Sequence, residues 1–407
     1  MDERDFFEAA PSPLTGPLAG VRVVEATTSW SGPMCGCVLA DLGADVIKVE
    51  LADGEVARRL PPFLPGSVPP QSVYNATVNR NKRSLCLDLH STAGREVFLD
   101  LLRCSDVLIE NFSAGTMDGW GLGYRSVRAV KDDIIYCSIT GFGQWGPDHD
   151  QVAYDPLVQA SSGFMSQNGD MDGAPVKAPT FLGDDISGLH SAIAVLGALW
   201  HRSATGEGQH LDVAMLDTLL FQSTALPTIG AIGSARRWGN QFEVAAPANV
   251  FDCKDGPIYC VVVLDSQWTS LAAVIGGDLD GDPVYATIPG RLTHRAEVDA
   301  YVRDWAAEHT VDEVCRLLRA ADVPVAPVRT YAETAADPHV LARGMMVDVA
   351  QPDGSVAQIT GPPVKFSRTR TSIRSAAPAL GAHTDAILGE LGYSGDQIAA
   401  LRAQRVV

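Results

Sequence analysis

The sequence predicts an α/β protein whose core is a mostly parallel sheet covered by helices. Two observations carry this. Between residues 18 and 139, short apolar runs alternate with helix-length stretches. After about residue 222 the texture changes, and a second, smaller α+β region follows.

The elements read in order. "VRVVEA" (21–26), "DVIKVE" (45–50), "SLCLDL" (84–89), "DVLIEN" (106–111) and "DIIYCSI" (133–139) are strands rich in β-branched residues. Between them, "PMCGCVLADLG" (33–43) and "TAGREVFLDLLRCS" (92–105) read as helices, with Pro33 in the first turn and Gly43 as the stop. "LHSAIAVLGALWHR" (189–202) is a largely buried helix, and "HLDVAML" after it starts a further strand or helix. Residues 223–245, rich in Gly, Ala and Pro, read as a linker. A hairpin turning at Asp255-Gly256 and helices near 266–276, 295–308 and 311–321 make up a small domain over 246–322. Residues 323–407 carry the strands "VPVAPVRT", "MMVDVA" and "VAQIT" and a helical close.

Composition narrows the function. At 407 residues with 46% hydrophobic and 20% charged positions, the chain suits a soluble globular protein of two domains, or of one large domain with an elaboration, long enough to be an enzyme. A net charge of −18 argues against broad nucleic-acid binding, though a local cluster of basic side chains and amides can still hold one anionic ligand. The acidic start "MDERDFFEAAPSPLTG" lacks the pattern of a secretory signal, so a cytoplasmic location is expected. Most of the eight cysteines sit in apolar segments and read as buried free thiols, and Cys35 and Cys37 form a lone pair that argues for packing rather than metal. "TTSWSGPMCG" after the first strand is not G-x-G-x-x-G, which removes a dinucleotide enzyme from consideration.

The chemistry centres on "GDDISG" (183–188). An Asp or Ser at a helix start caps it by accepting free backbone N–H groups, a role open to Asp184, Asp185 and Ser187. The same amides lower a carboxylate's pKa, and an ionised Asp flanked by glycines that admit a substrate can be a covalent nucleophile. On these residues alone, both roles stand.

The runs "LAGVRVVEATTSWSGPMCGCVLADLGADVIKVE", "NRNKRSLCLDLHSTAGREVFLDLLRCSDVLIENFSAGTMDGWGLGY", "AYDPLVQASSGFM" and "GDDISGLHSAIAVLGALWHRSATGEGQHLDVAMLD" closely resemble the class III CoA-transferases. The resemblance continues in order through "NVFDCKDG", "VPVAPVRT", "DPHVLARGM" and "PALGAHTDAILGELGYS". It implies a Rossmann-like large domain built from both chain ends (1–222 and 323–407), a smaller inserted domain, and an interlocked homodimer. The implied nucleophile is Asp184, which forms first an anhydride and then an aspartyl-CoA thioester, with acyl-CoA and a carboxylic acid as substrates and neither a metal nor a redox cofactor. The matching CoA contacts are Trp30 and Ser31, Leu87, Asp88, Leu89 and His90, Asn111, Phe112 and Ser113, and Thr140, Gly141, Phe142 and Gly143. Arg58, Lys82 and Arg83 are nearby positive charges expected to face CoA's phosphates, because Leu51, Ser113 and Gly119 stand where relatives often have arginine.

Two further departures bear on substrate. Trp30 and Leu60 stand where oxalate-using members have Gln and Trp, which points to a bulkier or more apolar acyl group, and "RWGNQFEVAAPAN" (237–249) lacks the family's glycine-rich loop. The family also contains α-methylacyl-CoA racemases, which carry His before the Asp where this chain has Tyr154 before Asp155. Tyrosine, with a reference pKa of about 10, is a poor base there. His149 lies too early in that motif and reads as a surface residue, and His190 reads as a helix residue. The transferase is therefore favoured over the racemase, and over a CoA-binding protein without turnover.

Overall fold

The computed structural model describes residues 3–7, 16–279 and 281–407; of the acidic N-terminal stretch read above, residues 1, 2 and 8–15 lie outside the described residues. The described residues form two compact units.

The first unit lies within Met1–Phe164, Lys177–Thr228 and Pro338–Val407. It is built on a six-stranded sheet of β1 (Arg22–Ala26), β2 (Asp45–Glu50), β3 (Lys82–Cys86), β4 (Val107–Glu110), β5 (Ile135–Thr140) and β6 (Gln209–Ala214), in the order β3-β2-β1-β4-β5-β6. Every neighbouring pair is parallel. Strands covered on both faces must be apolar almost throughout, and β4 and β5 are buried at every residue. Side chains alternate between faces: Val24, Ile47 and Leu108 enter one core with Leu101, Ile387 and Leu388, while Val23, Val46 and Ile109 enter the other with Leu39 and Val195. The C-terminal helices Thr384–Glu390 and Gly395–Ala403 thus supply core to a sheet made by the N-terminal half.

Four helices position the site: α1 (Ser31–Asp41), α2 (Asp155–Ser161), α3 (Leu182–Thr205) and α4 (Met215–Gln222). α3 starts seven residues before the apolar run that announced it, so "GDDISG" is its first two turns rather than a preceding loop. A Cβ on Gly188 would come within 2.8 Å of Met34 Cβ and 2.9 Å of the Ser31 carbonyl oxygen, so this glycine is what lets α3 lie against α1. "HLDVAML" proves to be both things expected of it, the end of β6 and the start of α4. The strand expected at 84–89 sits at β3, which leaves Leu87–His90 in the turn before the helix Thr92–Arg103.

The second unit comprises Met165–Val176 and Ile229–Asp337. Its antiparallel sheet joins β7 (Ala248–Cys253), β8 (Gly256–Val261) and β9 (Val325–Pro327). The core lies between this sheet and the helices Asp265–Ile275, Arg295–Ala307 and Val311–Ala320. The return to the first unit comes later than residue 323, because Ile258 pairs with Pro327 and keeps "VPVAP" in this sheet. The expected linker is also not wholly irregular, since Leu226–Ala231 is helical. Back in the first unit, β10 (Met346–Ala350) and β11 (Val356–Thr360) form an antiparallel hairpin.

Candidate active site

Strand order reverses between β1 and β4, so the loops leaving their C-terminal ends part and open a crevice, the usual ligand position in such sheets. Asn111 ties the two loops together. Its Oδ1 accepts the Thr28 N–H at 2.9 Å, and its Nδ2 donates to the Thr28 carbonyl at 2.8 Å and to Ser31 Oγ at 3.2 Å. The resulting cleft of about 240 Å³ is lined by Ser31, Asn111, Phe112, Ser113, Thr140 and Gly141 together with Asp184. Six expected CoA contacts and the expected nucleophile therefore meet in one place.

Gly141 is required there: a Cβ would stand 2.0 Å from Ala153 Cβ, where the loop before α2 crosses the end of β5. That loop also brings His149, exposed as the sequence reading expected, to the lining of the cleft. Phe142 and Gly143 are not part of the lining, and Gly143 stands at φ 92° with its N–H on Thr140 Oγ1 at 2.9 Å.

Capping of α3 is reassigned. Neither Asp184, Asp185 nor Ser187 caps it; the N-cap is Phe181, without a side-chain bond. The buried carboxylate of Asp155, from α2, accepts the Gly183 N–H at 2.7 Å and the Asp184 N–H, and Gln159 Nε2 steadies its other oxygen at 2.7 Å. Asp185 instead accepts the Trp30 indole N–H at 2.6 Å, and Ser187 Oγ donates back to the Asp184 carbonyl at 3.0 Å.

This changes the electrostatics expected of Asp184. The helix amides meant to lower its pKa are taken by Asp155. Burial, followed by the charges of Asp155 and Asp185, pushes the Asp184 carboxyl up to about 7, against a hydrogen bond with Ser31. Burial also raises Asp155 and Asp185, opposed chiefly by the Gly183 amide and by Trp30 respectively.

The three expected basic contacts are corrected. Lys82 is buried, its Nζ 2.7 Å from Glu25 Oε2, 2.8 Å from the Pro33 carbonyl and 2.9 Å from Asn79 Oδ1. Arg58 is held in a fork by Glu50 at 2.6 Å, and Arg83 by Asp45 and Glu390, each at 2.7 Å. Paired or buried in this way, they form the charged scaffold under the loops rather than a phosphate cradle. Lys82→Met should cost about 3–5 kcal/mol by leaving Glu25 short of a partner. Urea unfolding checks this, and CoA affinity of the folded fraction should stay unchanged.

Leu87 and Leu89 are core residues, so only their backbone remains for a ligand. Asp88 accepts the His90 N–H at 2.9 Å. The His90 ring meets Trp120 edge-on at 4.9 Å, and Trp120 meets Phe112 at 5.1 Å, giving a row of three rings beside the β4 end of the cleft. Trp120 was missed, although it directly follows Gly119, one of the positions that had lost an arginine. Cys35 and Cys37 are buried on α1 and free. Among the described residues, no group of three or more His, Cys, Asp or Glu is arranged to hold a metal ion, and no helix is long and apolar enough to cross a membrane.

The model of CoA-transferase family III matches residues 18–384. The chain is 38% identical over 386 residues to a succinate–glutarate CoA-transferase of Agrobacterium fabrum, covering 92% of this chain and 96% of that one. It is 33% identical over 420 residues to a formyl-CoA:oxalate CoA-transferase of Escherichia coli O157:H7, covering 97% of this chain and 100% of that one. Among solved structures, a CAIB/BAIF family protein from Brucella suis superposes with a TM-score of 0.83 at 36% identity, covering 93% of this chain and 100% of that one.

Proposed function

Because this chain belongs to CoA-transferase family III, we propose that it moves CoA from an acyl-CoA donor to a carboxylic acid through covalent intermediates on Asp184. The observation that carries this is the Asp184 carboxylate standing in the switch-point cleft beside Ser31, with its own helix amides committed to Asp155. A carboxylate oxygen of Asp184 attacks the thioester carbonyl; the C–S bond breaks, CoA leaves as a thiolate, and a mixed anhydride remains. The thiolate then attacks the Asp184 carbonyl carbon, and its C–O bond breaks to free the donor acid. The acceptor carboxylate attacks the resulting aspartyl-CoA thioester, and the same two steps in reverse restore Asp184. No proton is gained or lost over the cycle.

CoA fits the cleft through Ser31, Asn111, Ser113, Thr140 and Gly141, with the adenine or pantetheine arm along Phe112, Trp120 and His90. The relatives' names specify small acids, succinate, glutarate, formate and oxalate. Here the neighbourhood of Asp185 is aromatic, which favours a less polar acyl group. The racemase alternative lacks its base: Tyr154 is exposed, and Asp155 is occupied in holding α3.

The test is incubation with an acyl-CoA and a free acid, then trapping with hydroxylamine or borohydride and peptide mapping. Exchanged CoA with modification at Asp184 is expected. Modification at Asp185 or at no aspartate, or α-deuterium washout without exchange, overturns the proposal.

A homodimer is part of the same reading. Leu189, Ile193, Leu196 and Trp200 recur on one face of α3 at 46, 64, 37 and 79% exposure, and Phe221 of α4 adds 74%. Such an apolar patch is covered by a partner in most soluble proteins, and a second copy of the chain fits it. Sedimentation should find a dimer that Ile193→Asp with Trp200→Glu converts to monomer.

A further inference from the structure

Trp30 was expected among the CoA contacts, yet it does not line the cleft. Its indole N–H instead meets Asp185 Oδ1 at 2.6 Å, one residue beyond the nucleophile. The next residue along, Ser31, hydrogen-bonds the Asp184 carboxylate. Two adjacent rungs, Trp30 to Asp185 and Ser31 to Asp184, therefore join the N-terminus of α1 to that of α3. The loop that sets them is held against its own preference. Ser29 sits at φ 65°, in the left-handed region, with its N–H fixed at 2.8 Å by Glu55 Oε2, and Glu55 in turn is anchored by buried Lys48 at 3.4 Å. A strained residue kept in place by a buried ion pair is the mark of a loop whose aim matters.

The ring of Trp30 has a second environment. It meets Tyr74 at 5.7 Å and Phe181 at 5.3 Å, and those two meet each other at 5.5 Å, so three partly buried rings stand beside Asp185.

We propose that Trp30 is a positioning residue: its N–H, through Asp185, fixes the first turn of α3 and so the Asp184 carboxylate, while its packing on Tyr74 and Phe181 holds the indole in place. This rests on the CoA-transfer reading. The two halves of the side chain are separable by substitution. Trp30→Phe keeps a ring and removes the donor; Trp30→Ala removes both.

The experiment uses the full chain and follows thiol release in a single turnover of acetyl-CoA and of phenylacetyl-CoA, with melting temperature as the check on folding. Trp30→Phe is expected to slow thiol release at least ten-fold and leave the KM for CoA thioester unchanged. Asp185→Ala should do the same, and the double variant should be no slower than the slower single, because both remove one hydrogen bond. Trp30→Ala, which loses the donor and the ring packing together, should be slowed at least as much on both thioesters. Multiplying single effects, or a full rate in Trp30→Phe, overturns the inference. If Trp30→Phe does not fold, Asp185→Ala, which removes the acceptor of the indole N–H, must show the slowed release alone. Wild type that releases no thiol from any acyl-CoA would instead defeat the CoA-transfer reading.

Discussion

Replacing Asp184 with asparagine is expected to abolish CoA exchange, by roughly 10³-fold or more, while making the protein more stable at neutral pH. The first effect follows from removal of the attacking oxygen. The second follows from the electrostatics of the site. In the folded chain the Asp184 carboxyl is held near 7 by burial and by Asp155 and Asp185, against an ordinary 3.8. A folded state that binds this proton more tightly than the unfolded chain is penalised once the proton is lost. The penalty is absent below pH about 4, grows as pH rises, and is complete above about 7; its full size is of the order of 2–4 kcal/mol. Asparagine removes it. Urea unfolding should therefore find a stability gain at pH 8 that vanishes by pH 4, and an equal gain at both values would refute the cause. In the wild type the nucleophile must be ionised, so kcat/KM should fall as pH drops below about 7. Function and stability oppose one another at this residue, as is common where a catalytic group is kept in an unfavourable setting.

How much of this was legible depended on the range of the interaction involved. The parallel sheet could be read because strands buried on both faces are largely apolar, as β4 and β5 are, buried at every residue. The small-unit hairpin was legible from Asp255-Gly256, a local signal. By contrast, the strand pairing of Val325–Pro327 with β8 joins residues 69 apart, Ile258 and Pro327, and nothing near residue 325 announces its partner. The same holds at the site. "GDDISG" could be recognised, and the chain-long resemblance ordered its two aspartates, but which carboxylate caps α3 was decided by Asp155, 28 residues upstream of Gly183. Basic residues were the least legible. Lys82 was expected to face CoA's phosphates, yet its strand lies beside β2 and turns it into the interior toward Glu25. Charge is visible in a sequence; the acid that will meet it is not.

Substitutions at Asp155 should separate its two roles, holding α3 and charging Asp184. In Asp155→Asn the carboxamide oxygen can still accept the Gly183 N–H, so α3 keeps its start, but the negative charge beside Asp184 is gone. Since that charge is the largest contribution after burial to the raised Asp184 carboxyl, the acid limb of kcat/KM should move to lower pH, by up to about one unit, with activity at pH 8 within roughly ten-fold of wild type. Asp155→Ala differs in kind. It leaves the Gly183 and Asp184 N–H groups unpaired in a buried site, at about 1–3 kcal/mol, and frees the turn that aims the nucleophile. A misplacement of even an ångström costs about 10²-fold in rate, so kcat/KM should drop by that order at every pH. A pH–rate profile of both variants, beside their urea unfolding curves, distinguishes the roles. If Asp155→Asn leaves the acid limb where it was, the charge of Asp155 does not reach Asp184, and α3 is the whole of what it holds.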